Sequence, residues 1–336
     1  MKVCLFVPKN SKLVKKSGIG RAIRHQKMAL DLQGINHSAH LTEDCDIVHL
    51  NMVFKSSRKM VKKAHKAGKK VVYHAHTTAE DIENSFMFSN FYAKRFKKTL
   101  RKTYQSADYI ITPTNYSRNI LLNYGITKEI AAISNGIELK SYSQNKDKEQ
   151  KFLEKFKINE NDKIVMGVGL FFKRKGLLDF IAISKQMPDV KFFWFGHTPL
   201  LTLPKDIRKA IKGRPANCIF PGYVEGDIIQ GAYSRSDCFF FPSFVENEGI
   251  VVLEALASRQ KIIIRDVDTY TDWLTHGKNC LKGNNNEEFI EYISACINGE
   301  YEELRDEAYK VAEERSIEIV SEKIKAVYEK VLGSND

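Results

Sequence analysis

Short runs of β-branched and aromatic residues recur along this chain, each closed by a turn residue and followed by a stretch of helical period. The series occurs twice. In the first half the runs fall at residues 2–7, 47–50, 70–74, 109–112 and 130–133, and in the second at 163–169, 191–196, 218–221, 238–242 and 261–265. Strand alternating with amphipathic helix is the pattern of βαβ units, which build parallel sheets. Between the two series, residues 140–163 are polar and charged. The pattern predicts two Rossmann-like α/β domains facing a cleft: residues 1–140, a linker over 141–162, residues 163–310, and a closing helix over 311–336 that packs back towards the first domain. A length of 336 residues accommodates two domains. Ligands of open α/β sheets sit beyond the carboxyl ends of the strands, so the chemistry is expected in the cleft.

Composition excludes several classes. Hydrophobic residues make up 43% of the chain and charged ones 28%, an ordinary globular balance. No apolar run reaches the roughly 18 residues of a spanning helix, and the first run is too short for a signal peptide. The six cysteines are scattered without a Cys-x-x-Cys pair, so neither a zinc knuckle nor a disulfide framework is indicated. These features predict a cytoplasmic protein. The net charge of +12 is uneven: residues 1–150 hold 27 Lys/Arg against 12 Asp/Glu, and residues 151–336 hold 26 against 29. A basic half of this kind points to a polyanionic partner, either nucleic acid or an anionic membrane.

The most informative segment runs from Phe239 to Ala257. A buried strand enters a Pro242-Ser243 turn, a loop carrying Glu246, Asn247, Glu248 and Gly249 follows, and a helix starts at Ile250. Free N–H groups at a helix start hold a diphosphate. Glu254, about one turn into the helix, offers a carboxylate to a ribose diol. In the first half, Ser17-Gly18-Ile19-Gly20-Arg21 precedes a helix, and its glycines let the backbone approach a phosphate or sugar closely. His74-Ala75-His76 ends a strand, and alternation places both imidazoles on one face. They could meet a sugar or bind zinc, although no third ligand has recognisable spacing. Two Asp-x-Asp triplets, Asp44–Asp46 and Asp266–Asp268, are read as loop residues, and no metal is expected.

Glu246 and Glu254, eight apart and flanked by Tyr233, Asp237, Phe241, Pro242 and Ser243, resemble the Glu-x7-Glu motif of retaining family 4 glycosyltransferases, which have the GT-B fold. The resemblance extends to Gly169–Gly176, where Lys175 matches the lysine on the donor diphosphate. It extends also to Gly196-His197 and Gly222-Tyr223-Val224 near the nucleotide base, to Gly18 and Gly20 in the donor loop, and to Asn135-Gly136-Ile137-Glu138 closing the first domain. Where the family carries an arginine after the first glycine, this chain has Leu170, and Arg174 or Lys173 is expected to supply the charge. The resemblance implies transfer of a hexose from a UDP-sugar with retention and without a cofactor. Glu246, His76 and Lys175 are the expected catalytic residues. Gly18, Gly20, Arg174, Lys175, Gly196, His197, Asn247, Glu248, Gly249, Ile250 and Glu254 are expected to hold the donor.

The acceptor is read from the basic half. Lys59, Lys62, Lys63 and Lys66 lie on one predicted helix, and Arg95 and Lys98 on another whose stripe of Phe91, Ala93, Phe96 and Leu100 follows the apolar residues 86–88. A basic amphipathic helix beside an apolar loop suits an anionic membrane. Residues 17–26, 76–88 and 265–279 resemble bacterial synthases that glycosylate diacylglycerol or glucosyl-diacylglycerol. A peripheral enzyme on the inner face of the cell membrane with a lipid acceptor is therefore expected. The alternatives are a transferase of capsule or cell-wall polymer assembly, an inactive scaffold, and a nucleic-acid-binding protein. The last lacks any recognisable nucleic-acid motif, so no nucleic-acid partner is expected.

Overall fold

The computed structural model describes residues 1–8, 17–81 and 89–333. The apolar residues 86–88 singled out above lie outside the described residues. Twelve strands form two six-stranded sheets. The first contains β1 (Lys2–Phe6), β2 (Asn36–Ser38), β3 (Ile47–Leu50), β4 (Lys70–His74), β5 (Tyr109–Thr112) and β6 (Ile130–Ala132), in the order β2-β1-β3-β4-β5-β6. The second contains β7 (Lys163–Val168), β8 (Val190–Phe195), β9 (Cys218–Gly222), β10 (Cys238–Phe241), β11 (Ile262–Arg265) and β12 (Leu281–Gly283), in the order β12-β11-β10-β7-β8-β9. Every pairing is parallel.

Strands covered by helices on both faces read as continuous apolar runs rather than alternating ones. In β8, Phe192, Phe193, Trp194 and Phe195 are all buried, and Trp194 meets Phe180 edge-on at 5.0 Å. Each sheet reverses its winding once, between β1 and β3 in one lobe and between β7 and β10 in the other. Such a switch point opens a crevice at the carboxyl edge of the strands. The glycine segments that follow β1 and β7 lie at these crevices.

The region between the sheets is largely helical. Helix Lys146–Phe156 is N-capped by Asn145 and packs on helix Asp227–Arg235 of the second lobe. The last helix, Ile317–Gly333, crosses back to the first lobe. Ile317, Val320, Ile324, Val327 and Tyr328 join Val3, Ile47, Val72 and Ile111 in one core. The crossing is stitched where Ile137 N donates to Arg315 O (3.0 Å) and Ile317 N donates to Ile137 O (3.1 Å).

Both basic helices of the first lobe pack on its core. Helix Lys55–Lys66 buries Ser57, Val61 and Ala64 and exposes Lys59, Lys62, Lys63 and Lys66. In helix Ser89–Tyr104, Leu100 and Tyr104 are buried and Phe96 packs beside them, while Arg95 and Lys98 are exposed. The described part of that apolar stripe therefore serves the lobe's interior, and the outward face is cationic.

Candidate active site

The loop from Ser243 to Gly249 is the centre of the site. Gly176, in the left-handed region at φ 74°, ends the turn Lys173–Lys175 and brings it onto this loop, since a Cβ there would collide with the Pro242 carbonyl. Phe244 N and Ser243 Oγ then donate to Arg174 O at 2.7 and 3.1 Å. The Lys175 ammonium pairs with Glu246 Oε1, which also accepts from Ser243 Oγ at 2.6 Å. Burial pulls the Lys175 pKa down, and the Glu246 carboxylate opposes that fall. Of the two side chains considered as replacements for the arginine absent at Leu170, only Arg174 points inward. It donates to Val245 O at 3.0 Å and lies 3.9 Å from Asp81 of the first lobe, whereas the exposed Lys173 pairs with Asp206.

Gly249, at φ 85°, caps helix Ile250–Ala257. The first amides of a helix have no partner within it. Four residues into that helix, Glu254 is 1% exposed. Its carboxylate accepts from Tyr142 (2.8 Å), from Tyr233 (2.9 Å) and from Arg21, which reaches across from the first lobe. Burial disfavours the Arg21 charge, but Glu254 together with Tyr142, Tyr233 and Tyr223 outweighs it and raises its pKa. This pair sets the start of helix Gly18–Leu32, with Gly18 and Gly20, opposite the second lobe.

Asn247 and Glu248 turn their side chains towards the first lobe. Asn247 Nδ2 donates to His76 O at 2.8 Å and to the Asp81 carboxylate, while its own carbonyl accepts from Thr114 Oγ1 (2.7 Å) and Ser117 Oγ (3.1 Å). Glu248 Oε2 accepts from Asn135 N (3.0 Å) and Nδ2 (2.6 Å), and burial raises its pKa. Burial also raises the pKa of Asp81, although the nearby Arg174 lowers it. Gly196 and His197 follow β8. The exposed His197 touches Phe171 edge-on at 6.1 Å, along the crevice from the charged cluster.

Beside Arg21 and Asp81, the first lobe faces this cluster with neutral polar groups. His74 and His76 stack at 4.3 Å with their planes 7° apart, and His49 stacks behind His74 at 5.6 Å. Gln26 Nε2 lies 2.8 Å from His74 Nδ1 and donates to Asn51 Oδ1 at 2.8 Å, and His76 Nε2 meets the same Oδ1 at 2.7 Å. His49 Nδ1 lies 2.5 Å from the Tyr328 hydroxyl of the last helix. Burial pushes the pKa of His49 and of His76 down to about 3, so both rings are uncharged at neutral pH. Among the described residues, no group of three or more His, Cys, Asp or Glu is arranged to hold a metal ion. Asp44 is engaged by Lys2 and Thr42, and Asp266 lies 3.4 Å from Lys282.

Sequence reading assigned no role to Arg21, Asp81, Thr114, Ser117, Gln26 or Asn51. Arg21 carried a signal in its position directly after the glycine pair, and Gln26 and Asp81 lay in the segments 17–26 and 76–88 that resemble the lipid glycosyltransferases.

The comparisons agree with this geometry. The family described as Glycosyltransferase Family 4 matches residues 16–141, and the one described as Glycosyl transferases group 1 matches residues 148–315. Over 333 residues the chain is 43% identical to a processive diacylglycerol alpha-glucosyltransferase of Acholeplasma laidlawii, covering 99% of each. It is 24% identical to an alpha-galactosylglucosyldiacylglycerol synthase of Streptococcus pneumoniae over 69% of this chain and 63% of that protein. The crystal structure of Anabaena Alr3699/HepE in complex with UDP and glucose superposes with a TM-score of 0.78 at 16% identity, over 98% of this chain and 100% of that one. Matched in both halves and related at that identity along nearly its whole length, the chain belongs to glycosyltransferase family 4 and is a retaining transferase of GT-B fold.

Proposed function

We propose that this enzyme moves glucose from UDP-glucose to diacylglycerol or monoglucosyl-diacylglycerol at the cytoplasmic face of a membrane. The observation that carries the reading is the 43% identity, across 99% of both chains, to a transferase named for that acceptor. Among the described residues no helix is long and apolar enough to cross a membrane. The acceptor is therefore met at the surface, where the outward cations of the first lobe, Lys59, Lys62, Lys63, Lys66, Arg95 and Lys98, face anionic headgroups.

In this reading residues 1–140 serve the acceptor, residues 163–310 hold the donor, and residues 311–336 return to the first lobe. Glu254 takes the ribose diol. The helix start at Gly249-Ile250 and the Lys175 ammonium take the diphosphate, with Gly18 and Gly20 closing from the opposite lobe. Glu246 orients the sugar hydroxyls, and His76 contacts the sugar as a neutral imidazole. Gly196 and His197 border the base. The bond from the anomeric carbon to the phosphate oxygen breaks as the acceptor oxygen bonds to the same face of that carbon. The acceptor proton passes to the leaving phosphate. Lys175 and the helix-start amides stabilise the charge that builds there.

The test is to incubate the protein with labelled UDP-glucose or UDP-galactose, a chelator, and anionic liposomes with or without diacylglycerol or monoglucosyl-diacylglycerol. Label from UDP-glucose is expected in the lipid fraction only when the acceptor is present. Donor hydrolysis without lipid labelling would leave the transferase and remove the lipid acceptor.

A further inference from the structure

The second half of the chain, acidic in sum, contains a concentrated basic surface. After β8 the chain makes a turn at Leu200–Thr202 and enters helix Lys205–Lys212. Ile207 and Ile211 hold the helix to the lobe. Lys205, Arg208, Lys209 and Lys212 line a shallow groove on its other side. They stand three and four apart, the spacing at which like charges on a helix repel and destabilise it. None of the four has a carboxylate partner among the described residues. The helix's one acid, Asp206, lies 3.9 Å from Lys173, which brings a further cation to the patch.

The turn before this helix is equally unusual. Leu201 is 86% exposed and Leu200 38%, and Leu201 is the most exposed large apolar side chain among the described residues. The leucines add nothing to the core, and the lysines lie at mutually unfavourable spacing, so packing within the lobe explains neither. An anionic bilayer satisfies both: cations among headgroups, leucines at the acyl boundary.

We propose that Leu200, Leu201 and the Lys205–Lys212 helix form a membrane-docking surface on the donor lobe, for bilayers bearing anionic lipid. The turn follows the carboxyl end of β8, on the cleft side of its sheet. Phe54, 50% exposed, follows the carboxyl end of β3, at the head of the basic helix Lys55–Lys66. Each lobe thus carries an exposed apolar residue near the cleft, backed by a basic helix. Both lobes engage the bilayer, and closure takes place on its surface. The inference rests on the lipid-acceptor reading above and extends it to the second lobe.

The test measures partition of the full-length protein onto phosphatidylcholine vesicles with and without phosphatidylglycerol. Two variants are compared with wild type: K205E/R208E/K209E/K212E, and L200S/L201S, which alters only exposed side chains of the turn. The charge-reversed variant is expected to lose about tenfold or more of its partition onto anionic vesicles, with a weaker salt dependence. The leucine variant should lose about fivefold at any salt concentration. Both should transfer sugar normally to an acceptor dispersed in detergent. Unchanged partition of both variants would overturn the proposal. So would wild-type protein that binds heparin or RNA through these lysines but leaves anionic vesicles unbound. Wild-type partition that depends on this surface, with no transfer to diacylglycerol acceptors in detergent, would support the docking surface and remove the acceptor reading.

Discussion

The two lobes present opposite chemistries to each other across the cleft. The second lobe offers acidic and basic side chains in pairs: Lys175 with Glu246 within the lobe, and Arg174 and Glu254 facing Asp81 and Arg21 of the first lobe. Apart from Arg21 and Asp81, the first lobe offers neutral groups: His49, His74 and His76 stacked in file, with Gln26 and Asn51 bonded beside them. The difference follows from what each edge is asked to hold. A nucleotide diphosphate brings charge that only cations and helix-start amides offset. A sugar and a lipid hydroxyl bring none, and an ionised group facing them would be buried without a counter-charge. The contacts that join the lobes, Arg21 to Glu254 and Asn247 to Asp81, cross between these two chemistries.

Removing a charge from the second lobe should therefore have the largest effect. Lys175→Ala leaves the buried Glu246 carboxylate without its ammonium partner, keeping the Ser243 hydrogen bond, and kcat should fall about 10²–10³-fold. Activity within a few-fold of wild type would show that the diphosphate is held elsewhere. The neutral file of the first lobe should appear in stability rather than rate. The folded pKa of His49 and His76, about 3, lies below the unfolded value of about 6.5. The unfolded chain then binds protons that the folded chain refuses, so stability is complete above about pH 6.5 and is lost as pH falls towards 3. Between pH 7 and pH 5 each ring should cost about 1–2 kcal/mol, read as a shift in the denaturant midpoint. His49→Gln should flatten that dependence, and an identical pH profile in the variant would mean that the ring titrates alike in the folded and unfolded chain.

Arg21→Ala tests the bridge between the lobes. Glu254 keeps its two tyrosines but loses its cation, and affinity for UDP should fall about tenfold in calorimetry. Unchanged affinity would make the bridge a packing contact alone. His76→Ala should have the smallest effect, about tenfold or less in kcat/KM, because one neutral hydrogen bond to the sugar is removed. A loss as large as that of Lys175→Ala would end the division of labour drawn here.

Much of this organisation could be read from the chain. Repeated apolar runs reported five of the six strands in each sheet, because a strand buried on both faces must be continuously apolar, as Phe192–Phe195 is, whereas the three-residue edge strands β2 and β12 carry no such run. The Glu246-to-Glu254 spacing was legible because a strand, a turn and a helix start are local, and their residues are near in sequence. The stacking of His74 on His76 followed from alternation. The partners of these residues were not legible. Arg21 and Glu254 are 233 positions apart, and Asn247 and Asp81 are 166 apart. No local period connects such residues. Helix Ser89–Tyr104 shows the converse: its described apolar side chains suited a bilayer as well as a core, and the fold placed Leu100 and Tyr104 inside.

The sequence by itself determined the two α/β lobes, the loop and helix that carry Glu246 and Glu254, and the imbalance of charge between the halves. These depend on composition and on neighbours within a turn or two. Only the tertiary structure decided that Glu254 is met by Arg21, that Asn247 and Glu248 face the opposite lobe, and that an acidic half exposes Lys205, Arg208, Lys209 and Lys212 together. The physical reason is common to all three. Pairing energies and surface potentials depend on distance through space, and a sum over sequence discards that distance.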